Sequence, residues 1–217
     1  KFARMLRDTL SSTLQRSMAV EFVSSEMIKY QEFITAFSSP TSCNVIRMEP
    51  LIGNALLCIE SNLVFSLIDC MFGGDGKPAT QVREFTQIEQ RMTKKFALDI
   101  LAAFEHSWST IYPIKIVLKK TETKPAFVQM VPPNDTMLII VFAIKGQEFS
   151  GNFHMAIPYL MLEPIKEKLS PKYLREKDTG NSWSPQLKEL LKDAPVTIIA
   201  ELGRTQQTVR ELINLQV

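Results

Sequence analysis

At 217 residues the chain is long enough for one globular domain with a further fragment, or for two small domains. Hydrophobic residues make up 45% and charged residues 22%, an ordinary globular balance, and 25 basic against 23 acidic residues leave a formal charge of +2. That charge excludes a whole-chain field strong enough to draw the protein to nucleic acid or anionic lipid, and a protein partner becomes the default expectation.

In chain order, Phe2, Leu6, Leu10, Leu14 and Met18 recur every fourth residue and predict an amphipathic helix. Val20 and Phe22 give a weak strand signal, and 31–37 reads as a short helix. Cys43 to Met48 and Ala55 to Ile59 read as strands, followed by a helix through Leu63, Val64, Leu67, Ile68 and Met71. A glycine-rich loop, Phe72-Gly73-Gly74-Asp75-Gly76-Lys77-Pro78, ends this first half. Thr86 and Glu89 have the spacing of a capping box and open a second long helix, with Ile88, Met92, Phe96, Ile100, Phe104 and Trp108 on one face. Arg91, Lys94, Lys95 and Asp99 are expected on its wet side. Ile114, Ile116 and Leu118, then Met137 to Ile144, then Gly151 to Ile157 predict three strands. Leu160, Met161, Ile165 and Leu169 predict a closing helix.

The two halves repeat one another. Gly53-Asn54-Ala55-Leu56-Leu57-Cys58-Ile59 aligns with Gly151-Asn152-Phe153-His154-Met155-Ala156-Ile157, and both stretches run from a glycine into a strand and then a helix. The predicted class is α+β, a pseudo-two-fold duplication of a helix–strands–helix unit. Its two half-sheets are expected to pair edge to edge, with helices over one face. The short helix at 31–37 is extra to the first half. Residues 170–185, with two prolines, a glycine and alternating charges, read as a linker. Beyond it, Leu187, Leu190 and Leu191 suggest a short helix, Val196 to Ala200 a strand, Leu202-Gly203 a turn, and Thr205 to Leu215 a second strand or strand–turn piece.

Chemistry-bearing patterns are scarce. The two histidines, His106 and His154, share no ligand spacing, and no metal or cofactor is expected. Cys43, Cys58 and Cys70 are widely spaced in apolar stretches and predict buried thiols of a reducing compartment. Cys43 paired with a histidine is a conceivable nucleophile, but a packed strand cysteine is the plainer reading. The run from Leu138 to Ile144 is too short to cross a bilayer, which needs roughly 20 apolar residues. The glycine loop is not a phosphate loop, because a helix precedes it and Pro78 follows its lysine. Two readings stay open for it: a helix stop, or a loop whose backbone must lie close to a partner.

At this loop the sequence resembles the FliM family of flagellar motor switch proteins. Phe72-Gly73-Gly74-Asp75-Gly76 looks like the family's Gly-Gly-x-Gly loop. Phe2-Ala3-Arg4, Tyr30-Gln31-Glu32-Phe33, Arg83-Glu84-Phe85-Thr86 and Ile157-Pro158-Tyr159 are similar to it as well. The resemblance implies a middle domain over 1–169 with a sandwich like that of the CheC phosphatases, a linker at 170–185, and the opening of a SpoA domain over 186–217. It also implies a non-catalytic ring component, cytoplasmic and peripheral to the inner membrane at the flagellar basal body. FliG would be held through Gly73, Gly74, Asp75 and Gly76, with Asp75 at the variable position. FliN and neighbouring FliM subunits are the further partners implied, with phosphorylated CheY taken by a segment that lies outside this sequence. The rival reading is a CheC-type phosphatase of phosphorylated CheY, which uses a glutamate and an asparagine three residues on. Here Glu89 is followed at that distance by Met92, and Gln15 by Met18, so neither helix carries the pair.

Overall fold

The computed structural model describes residues 1–77, 83–169, 203 and 206–213. It divides into two units, Lys1–Leu174 and Arg175–Val217.

The first unit begins with helix α1 (Phe2–Leu14), which buries Phe2, Leu6, Leu10 and Leu14, the predicted face. Gln15, at φ 51°, ends it in a left-handed cap. Met18 is buried too, but past the helix end. Strand β1 (Ala19–Lys29) follows, then α2 (Tyr30–Thr35), β2 (Thr41–Glu49), β3 (Ala55–Glu60) and α3 (Ser61–Met71). The second half supplies α4 (Gln87–Trp108), β4 (Lys115–Glu122), β5 (Thr136–Lys145), β6 (Ser150–Pro158) and α5 (Tyr159–Leu162).

All six strands form one antiparallel sheet in the order β1-β5-β6-β3-β2-β4. Exchanging each strand for its counterpart in the other half (β1 for β4, β2 for β5, β3 for β6) returns the same order read backwards. The duplication is therefore a real two-fold, with its axis at the β3–β6 pair, but the expected edge-to-edge pairing of two half-sheets is corrected to an exchange of outer strands. The half-sheets are not self-contained. Each outer strand crosses over: β1 of the first half pairs with β5, and β4 of the second half pairs with β2. The bulges obey the two-fold as well. Val23 is the extra residue on β1 opposite Val141 and Phe142, and Lys119 is the extra residue on β4 opposite Val45 and Ile46.

Alternation along the strands sorts the side chains into two layers. Ala55, Leu57 and Ile59, with Phe153, Met155 and Ile157, face the core formed with α1, α3, α4 and α5. Phe2 packs into it edge-on to Phe104 and Phe142, at centroid distances of 5.4 and 4.8 Å. Cys43, Leu56, Cys58, Ile139 and Ala156 face the other way, under Tyr30 and Phe33 of α2. The expected extra helix is thus α2. Its place between the first and second strands of the unit is taken in the other half by a 3-10 turn at Pro125–Phe127.

Four further expectations need correction. Ile88 is 66% exposed, although it belongs to the predicted face of α4. Four-residue steps overshoot a helical turn by roughly 40°, so a long i+4 series rotates off the core at one end. Asp99, expected on the wet side, has Oδ2 buried without a hydrogen-bond partner, and burial pushes its carboxyl up against the pull of Lys95. The closing helix is a single α turn followed by a 3-10 stretch, Glu163–Leu169. Pro164 explains it: the ring has no N–H and crowds the carbonyl of Leu160. In the second unit Val209–Ile213 is helical, which we label α6, where a strand or strand–turn piece was expected. Thr208 caps it, its N–H and Oγ1 donating to Glu211 at 2.8 and 3.0 Å. The expected linker (170–185) and the helix and strand around Leu187, Leu190, Leu191 and Val196 to Ala200 lie outside the described residues.

Candidate functional site: the loop after helix α3

Helix α3 is buried on nearly all sides, so its exit point is fixed by the core. Its end is closed by backbone hydrogen bonds. The N–H of Gly73 donates to the carbonyl of Cys70 at 3.1 Å, and that of Gly74 to Asp69 at 2.9 Å. These are the two bonds of a Schellman motif, whose turning residue must take positive φ. Gly73 does so, at 89°.

The chain then wraps around the side chain of Asp69, whose Oδ2 accepts from the N–H of Gly76 at 2.8 Å. A Cβ on Gly74 would fall inside that carboxylate. Gly76, at φ 77°, lies against the ring of Phe149 and the thiol of Cys70, where a Cβ would be 2.8 Å from Sγ. Phe149, in the β5–β6 turn, is buried between Gly76 and Gly146. Gly74 and Gly76 therefore each make room for a contact within the chain, and only at Gly73, beside which a Cβ would meet nothing, does the backbone lie bare.

From outside, Arg16 clamps the loop. Having turned at the left-handed cap of α1, it donates to the carbonyl of Gly73 at 3.1 Å and lies 3.7 Å from Asp75 Oδ1. Gly73 and Asp75 remain exposed, whereas Gly76 is buried. Phe72 is 73% exposed. It borders a groove of about 460 Å³ whose other walls include Phe65, Ile68, Arg83 and Ile88.

Glu89 stands on the rim of that groove and is fully engaged. It closes the predicted capping box with Thr86, and Arg83 donates to its two oxygens at 2.7 and 2.9 Å. The Arg83 hydrogen bonds, against the effect of burial and with help from Thr86, hold its carboxyl down at about 2. Gln15 forms the cap of α1 rather than part of its face. The two positions weighed for a CheC-type pair are thus structural.

The histidines lie on different layers. His154 meets Glu60 at 2.9 Å on the α2 side of the sheet, while His106 is on α4. Burial is the largest single influence on the Glu60 carboxyl and raises it, but the hydrogen bond and charge of His154, together with hydrogen bonds from Asn152, make the net shift downward. Cys43 and Cys58 pair across β2 and β3 with their sulfurs 3.6 Å apart, fully buried, and burial pushes the Cys58 thiol well up. Among the described residues no three His, Cys, Asp or Glu side chains gather as a metal site, and no helix is long and apolar enough to cross a membrane.

Residues 1–174 match the model of the family described as flagellar motor switch protein FliM. The chain belongs to the FliM family. It is 33% identical to FliM of Treponema pallidum over 100% of its own length and 64% of that protein's. With FliM of Borreliella burgdorferi the identity is 31%, over 99% of this chain and 62% of the other. The chain thus spans a little under two thirds of these FliM relatives. Among solved structures it is similar to the FliM middle domain of Vibrio alginolyticus, at 32% identity and a TM-score of 0.72, covering 77% of this chain and 95% of that one. It is also similar to FliM in the FliG–FliM complex of H. pylori, at 28% identity and a TM-score of 0.73, covering 77% and 92%. FliY of Thermotoga maritima shares the fold, at 18% identity and a TM-score of 0.66.

Proposed function

We propose that this chain is a non-catalytic component of the flagellar motor switch that takes FliG on the loop of Gly73, Gly74, Asp75 and Gly76. The observation carrying this reading is the loop itself. It is exposed at Gly73 and Asp75, yet fixed by the Schellman bonds, by Asp69 from within and by Arg16 from without. A backbone held in this way is a preorganised contact, which lowers the ordering cost of binding. The FliM of H. pylori was crystallised with FliG, which supports FliG as the occupant. On the same reading, 1–169 is the middle domain, 170–185 a linker and 186–217 the start of a SpoA domain. FliN and neighbouring FliM subunits would be its further partners, at the cytoplasmic side of the basal body. The engagement of Glu89 by Arg83 and Thr86 supports a scaffold over a phosphatase.

The test is a binding isotherm with FliG for the Gly73→Asn variant, beside a thermal melt. Asparagine tolerates positive φ better than other side chains, and at this position it points into open space. A loss of about tenfold or more in affinity, roughly 1.4 kcal/mol, with a folded protein is expected. Unchanged affinity would move the FliG contact elsewhere. Mixing the chain with phosphorylated CheY should leave the rate of dephosphorylation unaltered, and a concentration-dependent acceleration would overturn the scaffold reading.

A further inference from the structure

A groove of about 790 Å³ runs between α4 and β4. β4 is an edge strand, paired with β2 alone. The consecutive residues Ile116 to Thr121 line the groove rather than every second one, as a channel running along a strand edge requires. The N–H of Ile116 donates to the carboxylate of Glu105 on α4 at 2.6 Å. Amides of this edge therefore point toward α4, and the Ile116 end is already satisfied. From Leu118 onward the edge lies open along the groove.

The charge around it is one-sided. Arg91 and Lys94 come from α4, Lys119 and Lys120 from β4, and no carboxylate lines the groove. Among the described residues Arg91, Lys94 and Lys119 take part in no ion pair, whereas Lys120 meets Glu122 at 2.6 Å. The floor is apolar, formed by Leu98, Ile116 and Leu118. β1, at the opposite edge of the sheet, has the equivalent bulge but presents Glu21 and Glu26 with exposed Phe22, Val23 and Met27. The cationic character thus belongs to β4 and not to sheet edges of this fold in general.

We propose that this groove is a second docking surface, which takes an extended segment of a partner protein as a seventh strand along β4. The segment would carry carboxylates two residues to either side of an apolar residue, so that all three side chains point to the α4 face of the new strand. Its backbone would pair with the free amides and carbonyls beyond Leu118, its apolar side chain would cover Leu98, and its carboxylates would meet Arg91, Lys94 and Lys119. Lysines along an edge, together with a bulge, repel indiscriminate pairing. The same lysines select an acidic strand over a neutral or basic one.

The probe is the synthetic heptapeptide Thr-Glu-Thr-Val-Thr-Glu-Thr, compared with a lysine-for-glutamate version and with one N-methylated at alternate amides. Binding to the full chain is followed by fluorescence anisotropy and by amide hydrogen exchange. The acidic peptide should slow exchange from Leu118 to Thr121 and lose about tenfold in affinity between roughly 50 and 300 mM salt. Lys94→Glu and Lys119→Glu, both surface changes, should each weaken it by about tenfold with the thermal midpoint unmoved. Exchange in β4 left unchanged by the acidic peptide would overturn the proposal. So would equal binding of the N-methylated peptide, which would mean charge attraction without strand pairing. Protection of β4 by the chain alone, rising with its concentration, would assign the groove to a second copy and overturn it too.

Discussion

Leu57 and Met155 face each other across the central strand pair and occupy the same position of the repeated unit. The two-fold axis of the domain therefore passes between them. Both are fully buried in the helix-side core. Leu57→Ala and Met155→Ala should each cost about 2–5 kcal/mol, the range for emptying a well-packed core site. Because the side chains are direct neighbours, the double variant should depart from the sum of the singles by more than about 0.5 kcal/mol. Denaturant unfolding of the four proteins checks this. Strict additivity would mean that the two halves are mechanically independent.

The capping box of α4 gives a pH dependence. Glu89 is held down at about 2 by Arg83 and Thr86. A carboxyl depressed in the folded state stabilises above its ordinary value of 4.5, and the contribution is lost as pH falls toward about 2. Glu89→Gln should therefore lower stability at neutral pH and make the acid limb of the stability curve shallower between those limits. Thr86→Ala should cost about 1 kcal/mol, as other cap losses do. Parallel acid limbs for the wild type and Glu89→Gln would show that the Arg83 pair is screened out in solution.

Much of this was legible in the residues. The Gly-Asn repeat at Gly53 and Gly151 gave the duplication because each unit carries the pattern along its own strand, and the Thr86/Glu89 spacing gave the cap because its partners are close in sequence. The exchange of β1 and β4 was not legible, since outer-strand pairing is decided by contacts such as Ala19 with Lys145, far apart in the chain. The same holds for the loop. A glycine cluster after a helix announces a turn, but nothing local says that Gly76 makes room for Phe149 or that Arg16 reaches back to Gly73. The Val209–Ile213 helix could have been found: Thr208 and Glu211 repeat the spacing of Thr86 and Glu89.

Phe149 ties the loop to the far half of the domain, its ring held between Gly76 and Gly146. Phe149→Ala should cost about 3–5 kcal/mol if the site does not collapse. It should also free Gly76, so amide exchange at Gly74 to Gly76 should accelerate more than the global loss of stability accounts for. Exchange that follows global unfolding alone would show that Asp69 and the Schellman bonds suffice to hold the loop.

The glycine at 74 separates shape from contact. Its φ is not positive, so a side chain there meets no backbone strain, only the carboxylate of Asp69. Gly74→Ala should displace that carboxylate and break its bond to the N–H of Gly76, a charge-assisted hydrogen bond worth roughly 1.5–3 kcal/mol when intact. Asp69→Ala removes the same bond but empties the space. The double variant should then be about as stable as Asp69→Ala alone, because the added methyl group fills what the carboxylate left. FliG binding divides the two roles. If Gly74 serves only the shape of the loop, the double variant should bind FliG like Asp69→Ala. If the partner's backbone also passes close to Gly74, the double variant should bind about tenfold more weakly than Asp69→Ala at equal stability. Binding isotherms set beside thermal melts for the three variants decide between these outcomes. Wild-type affinity in all three would remove the loop from the FliG contact.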